Sequence, residues 1–169
     1  MAAPANARRP ALPLNRRAAS LFTVLLACAR SNARGNALSS AAMQMILSIA
    51  LGGAIGAVSR HFVNRASMAL WGASFPWGTL IVNVAGSFLM GVIVGWMARN
   101  GQASQELRGF LTVGFLGALT TFSSFSLDAV TLFERGAHIQ AVAYVLANVV
   151  LALGGLVLGL AVMRLGAPA

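Results

Sequence analysis

The chain has 169 residues, 58% of them hydrophobic and only 9% charged, with a mean hydropathy of +0.79, which excludes an ordinary soluble domain and indicates an integral membrane protein. All twelve basic residues are arginine and the only acids are Glu106, Asp128 and Glu134, so there is little material for acid–base catalysis. Six arginines (Arg8, Arg9, Arg16, Arg17, Arg30 and Arg34) lie at the N-terminal end, which places the formal +9 charge in a tail and argues against a nucleic-acid partner. The lone Cys28 and two scattered histidines give neither a disulfide nor a metal-site spacing.

Residues 1–42 form a basic extension without acids, rich in Arg, Ala and Ser. It is expected to be disordered or to reflect a start assigned too far upstream, Met43 and Met45 being alternative starts; its Leu-Leu-Ala-Cys28 run also allows a signal peptide. Charge-free windows then divide residues 43–169 into four. A helix crossing a hydrocarbon core of ~30 Å needs about 20 apolar residues, so the windows predict helices near 45–68, 79–98, 109–133 and 138–164. Between the first two, Trp71-Gly-Ala-Ser-Phe-Pro-Trp77 reads as a turn with aromatics at the interface. Gly52 and Gly56, Gly91 and Gly95, and Gly155 and Gly159 stand four apart and leave a bare strip on each helix. Packing within one bundle is preferred over a dimer face for these strips.

From residue 43 onward, Arg99, Arg108 and Arg164 fall on one side of the membrane and Arg60, Arg65 and Arg135 on the other. An even balance gives no strong instruction about orientation and permits an antiparallel homodimer, but the six arginines of residues 1–42 would all fall on the first side and fix the orientation, so either that tail is absent or the balance is broken. Arg60 and Arg65 are read as snorkelling at the interface or as an anion-attracting vestibule.

The third window holds Gly114-Phe-Leu-Gly-Ala-Leu-Thr-Thr-Phe-Ser-Ser-Phe-Ser126, a poor recipe for an unbroken lipid-facing helix. Glycines followed by Thr120, Thr121, Ser123 and Ser124 predict an interruption near 117–121, where half-helix ends present carbonyls and N–H groups to an ion. Hydroxyl-mediated packing is the alternative. Phe122 and Phe125 share a helical face; they serve the core or offer electropositive ring edges to a dehydrated anion. Asn83 and Ser87 on the second helix, and Tyr144 and Asn148 on the fourth, are neutral polar rows whose donors need partners in hydrocarbon. Asp128 receives no role. No carboxylate stands mid-helix, as a proton- or drug-coupled small transporter would need, and no catalytic motif is visible, so enzyme activity is disfavoured.

Pro76-Trp-Gly-Thr-Leu-Ile-Val-Asn83, continuing to Gly86-Ser-Phe, together with the 114–126 string, closely resembles the CrcB/Fluc family of fluoride channels over roughly residues 45–165. The resemblance implies an all-α membrane protein acting as an antiparallel, dual-topology homodimer of four-helix subunits with two fluoride pores. It places Asn83 in the pore, Phe122 and Phe125 as the phenylalanine box with Ser123 and Ser124 beside them, Tyr144 and Asn148 on the polar track, and Arg60 as the first-helix arginine. It also implies a structural sodium ion held by the backbone carbonyls of Gly117 and Thr120 from both subunits. Ala152 departs from a serine often found in the family, and Ala118 from a common second glycine. The expected function is passive fluoride export across a prokaryotic inner membrane, with fluoride, lipid and a second copy of the chain as partners. A small coupled transporter is the alternative.

Overall fold

The structure, a computed structural model, describes residues 16–101 and 103–165, with side chains from Ser39 onward. It separates into two compact units, Met1–Ala42 and Met43–Ala169. In the first, residues 1–15 lie outside the described residues, so the disorder expected of them is not addressed. From Arg16 onward the backbone is helical, which accords with an Ala- and Leu-rich stretch lacking proline.

The second unit is all-helical among its described residues. The first helix, α1 (Arg16–Trp71), contributes the part from Met43; then come α2 (Trp77–Asn100), α3 (Gln105–Arg108), a π-helical stretch (Gly109–Leu116), α4 (Gly117–Leu119), α5 (Phe122–Glu134) and α6 (His138–Leu165). Four spans are long and apolar enough to cross a membrane: Ser39–Trp71, Trp77–Asn100, Gln105–Glu134 and His138–Leu165. Their outward faces carry large exposed apolar side chains such as Leu70, Ile139 and Val157. A surface of that kind suits hydrocarbon and not water.

Helix ends follow local chemistry, and they lie a few residues beyond the windows read from the sequence. Gly72 and Gly101 adopt positive φ (75° and 60°) and their amides return to Met68 O (3.0 Å) and Met97 O (3.1 Å), closing α1 and α2. The third span starts at Gln105, earlier than the expected 109, because Ser104 Oγ accepts Leu107 N at 3.2 Å and caps α3. Glu106 and Arg108 are therefore helical residues.

The small-residue strips bring helices of one chain together. A Cβ on Gly91 would strike Leu156 O, and one on Gly159 would strike Phe88 O, so α2 and α6 approach backbone to backbone along their most extensive interface. Gly52 and Gly56 do the same for α1 against Phe110 and Phe115 of the π-helical stretch. Two small cores result: Val82, Leu116 and Leu119 hold α2 to the first half of the third span, and Leu80, Phe125, Leu132, Ala141 and Tyr144 join α2, α5 and α6. Gly91→Val should therefore lower stability by roughly 1–3 kcal/mol through overpacking. Gly154→Ala, where a Cβ meets nothing within 4 Å, should change it little. Thermal unfolding of the detergent-solubilised protein checks both.

Candidate functional site

The site is built where the third span changes course. Thr120 (φ −79°, ψ 154°) and Thr121 (φ −154°, ψ 123°) take extended backbone between α4 and α5. Extended residues inside a span lose helical hydrogen bonds that lipid cannot replace. A single side chain from α2 restores them. Asn83 Oδ1 accepts Thr121 N at 2.8 Å, and Asn83 Nδ2 donates to Thr121 O at 3.2 Å. The carboxamide thus pairs with both backbone groups of one residue, as a neighbouring strand would.

Thr121 then caps α5. Its Oγ1 accepts Ser124 N at 3.1 Å and lies 3.2 Å from both Ser123 Oγ and Ser124 Oγ. The amides that a continuous helix would aim at Gly117 O and Thr120 O are those of Thr121 and Ser124. They bond instead to Asn83 Oδ1 and Thr121 Oγ1. These two carbonyls are consequently relieved of their ordinary helical donors.

From Asn83 a row of polar contacts runs to α6 and on to α5. Asn83 Nδ2 donates to Asn148 Oδ1 at 3.1 Å, and Asn148 Nδ2 donates to Tyr144 O at 3.1 Å. Tyr144, fully buried, donates its hydroxyl to Asp128 Oδ2 at 3.1 Å, and Thr79 donates to the same oxygen at 2.7 Å. Phe125 lies against Tyr144 with ring centroids 5.6 Å apart and against Phe122 at 5.4 Å. Phe125 is buried, whereas Phe122 is 79% exposed on the outside of the bundle.

Asn83, Ser87, Thr120, Phe122, Phe125 and Asn148 line one open groove of about 330 Å³. Of the residues singled out from sequence, Tyr144, Ser123 and Ser124 adjoin this groove through hydrogen bonds or ring contact without lining it, and Gly117 stands at the start of α4. Arg60, on α1, neither lines it nor bonds to a described residue. The Asn83 donors find partners in Thr121 O and Asn148 Oδ1. Asp128, to which the sequence assigned no role, is half-buried, two turns before the end of α5, and receives two hydroxyls. The missed signal was the spacing Thr79–Asn83, four apart on α2 like Tyr144–Asn148 on α6.

The fold and the site together define a four-span, all-helical membrane protein with an uncharged amide, hydroxyl and aromatic groove in its bundle. A family model described as CrcB-like protein, Camphor Resistance (CrcB), matches residues 47–160. The "Fluoride-specific ion channel FluC" of Rhizobium etli is 53% identical over 116 residues, covering 69% of this chain and 93% of the relative. Relatives of the same name from Rhizobium johnstonii (52% over 122 residues; 72% and 97% covered) and Agrobacterium fabrum (54% over 116 residues; 69% and 93%) are similarly close. The chain belongs to the CrcB family.

Asn83→Ala removes the partner of Thr121 N and strands a buried backbone donor, so it should destabilise the protein by about 1–3 kcal/mol. Ser87→Ala, which removes a hydroxyl with no partner among the described residues, should cost less. Denaturant or thermal unfolding of the two variants side by side gives the comparison.

Proposed function

We propose that this protein is a passive, fluoride-selective channel that lowers cytoplasmic fluoride. The observation that carries the reading is the groove floored by Asn83 and Asn148 and flanked by Phe122 and Phe125, in a chain about half identical to proteins named fluoride-specific ion channels. Hydrogen fluoride enters cells as a neutral acid and dissociates inside, so an electrically negative interior expels the anion downhill without an energy source. Neutral donors and ring edges coordinate a dehydrated halide without the tight hold of a fixed cation, which permits rapid exit. Fluoride takes an Asn83 N–H from Asn148 Oδ1, exchanging one acceptor for another. Ser123, Ser124 and Tyr144 adjoin the path, and Arg60 contributes positive potential from α1.

The working unit in this proposal is an antiparallel, dual-topology homodimer in the cell inner membrane. Support comes from the groove itself: it opens on the outer face of the bundle beside an exposed Phe122, and polar groups turned to hydrocarbon are costly. A second copy supplies the missing wall. The even distribution of arginines over residues 43–169 suits insertion in both orientations. The interrupted third span supplies a structural sodium site in the same reading, for which Gly117 O and Thr120 O are fitting ligands because their helical donors are engaged elsewhere. Bound there, sodium would hold the two interruptions together by charge–dipole attraction and would not be transported.

A proton- or drug-coupled small transporter is the rival reading, and Asp128 supplies the half-buried ionisable group that it requires. Efflux from fluoride-loaded proteoliposomes separates the two. The channel should release fluoride rapidly once a potassium ionophore balances charge, whereas the transporter should respond to an imposed pH gradient and saturate at low turnover. Phe122→Ile or Phe125→Ile should cut the channel's efflux at least tenfold; wild-type rates in both variants would remove the ring edges from the mechanism.

A further inference from the structure

A second cavity, of about 220 Å³, lies on the far side of Asp128 from the groove. It is half-open and lined by the end of α1, the 72–76 connection, the first turn of α2 and the last turns of α5. Its polar lining is Asn64, Ser67, Thr79, Asp128, Thr131 and Arg135. Two of these, Thr79 and Asp128, are also the terminal members of the polar row described above. The cavity therefore adjoins the end of that row.

The distribution of donors within it is uneven. Thr79 and Tyr144 both commit their hydroxyl protons to Asp128 Oδ2, and Thr131 commits its own to Leu127 O at 2.8 Å. Ser67 donates to Asn64 O at 2.9 Å. Asn64 and Arg135 are different. The Asn64 Oδ1 atom is buried without a hydrogen-bond partner, in the tight contact that α1 makes with Gly78, and Asn64 Nδ2 bonds to no described residue. The exposed Arg135 guanidinium likewise has no described partner; the residue caps the C-terminal end of α5, seven positions beyond Asp128, and lines the same cavity. Packing thus fixes one carboxamide at a polar cavity and leaves its donors unused, with an unpaired cation nearby to offset the Asp128 charge.

We infer that this cavity is a rehydration station for a small anion, in which the Asn64 amide and the Arg135 guanidinium receive fluoride with part of its water shell as it leaves the Thr79–Asp128–Tyr144 cluster. The inference rests on the proposed channel function and deepens it. A space of this volume holds roughly seven waters at ~30 Å³ each, so it serves throughput and does not discriminate between halides. Asn64 and Arg135 act on passage by hydrogen bond and by charge, and the contribution of Arg135 is screened by salt.

The test is ionophore-supported fluoride efflux from proteoliposomes of the full chain. Asn64→Asp, which keeps size and adds a negative charge, should slow efflux at least tenfold. Arg135→Gln should slow it about threefold at low ionic strength and less at high, with fluoride-over-chloride preference unchanged in both. Arg108→Gln, on α3, is the control and should match wild type. Thr131→Cys in a Cys28→Ser background should be modified by charged methanethiosulfonates, the anionic reagent suppressing efflux more than the cationic one. Absence of efflux from wild type would sink the channel reading itself. Normal wild-type efflux with Asn64→Asp and Arg135→Gln within twofold of it, or no effect of either reagent on the cysteine variant, would sink the station alone. If Asn64→Asp is not recovered as a monodisperse species, the cysteine modification decides.

Discussion

The arrangement of the molecule depends on one carboxamide. By pairing its oxygen with Thr121 N and its nitrogen with Thr121 O, Asn83 makes an extended break tolerable in the middle of a membrane span. Without it, the third span would have to heal into a helix or leave backbone groups stranded. With it, α5 begins again with its own cap, Phe122 and Phe125 point where they do, and two carbonyls of the preceding turn lose their usual donors. One side chain therefore links the polar groove to the backbone geometry of the interruption.

Such an amide acts only at short range, and the glycines supply that range. α2 can bring Asn83 to Thr121 and Asn148 together because its other contacts, at Gly86 and Gly91, leave no room for a Cβ: Thr120 sits over the first and Leu156 O over the second. Tight helix contact substitutes here for the hydrophobic effect, which does not drive helices together inside lipid. The small residues fix distance and the polar residues fix angle.

Much of this was legible in the sequence. Four uncharged windows gave the four spans, because hydrocarbon thickness sets a length that composition reveals. The clustered hydroxyls after Gly117 marked the place where Thr120 and Thr121 leave helical geometry, and the four-residue spacing of Tyr144 and Asn148 marked a shared face. What escaped notice depends on which neighbour a face meets. Ser87 and Thr79 both stand one turn from Asn83, and only the fold shows that Thr79 reaches Asp128. Arg60 has the charge expected of an anion path but lies apart from the groove. The π-helical stretch was not anticipated from residue type; its wider turn packs against Gly52 and Gly56 of α1.

That wider turn bears on how the span tolerates changes in length. A helix closed by i→i+5 bonds stores roughly one residue more per turn than its i→i+4 counterpart, so Gly109–Leu116 carries slack. Loss of a single residue elsewhere in the span would swing everything beyond it by about 100° and carry Thr121 away from its amide partner. Within this stretch the same loss lets the backbone tighten while the downstream half keeps its aim, which makes it the segment of the third span where evolution can trim the chain without retuning the site.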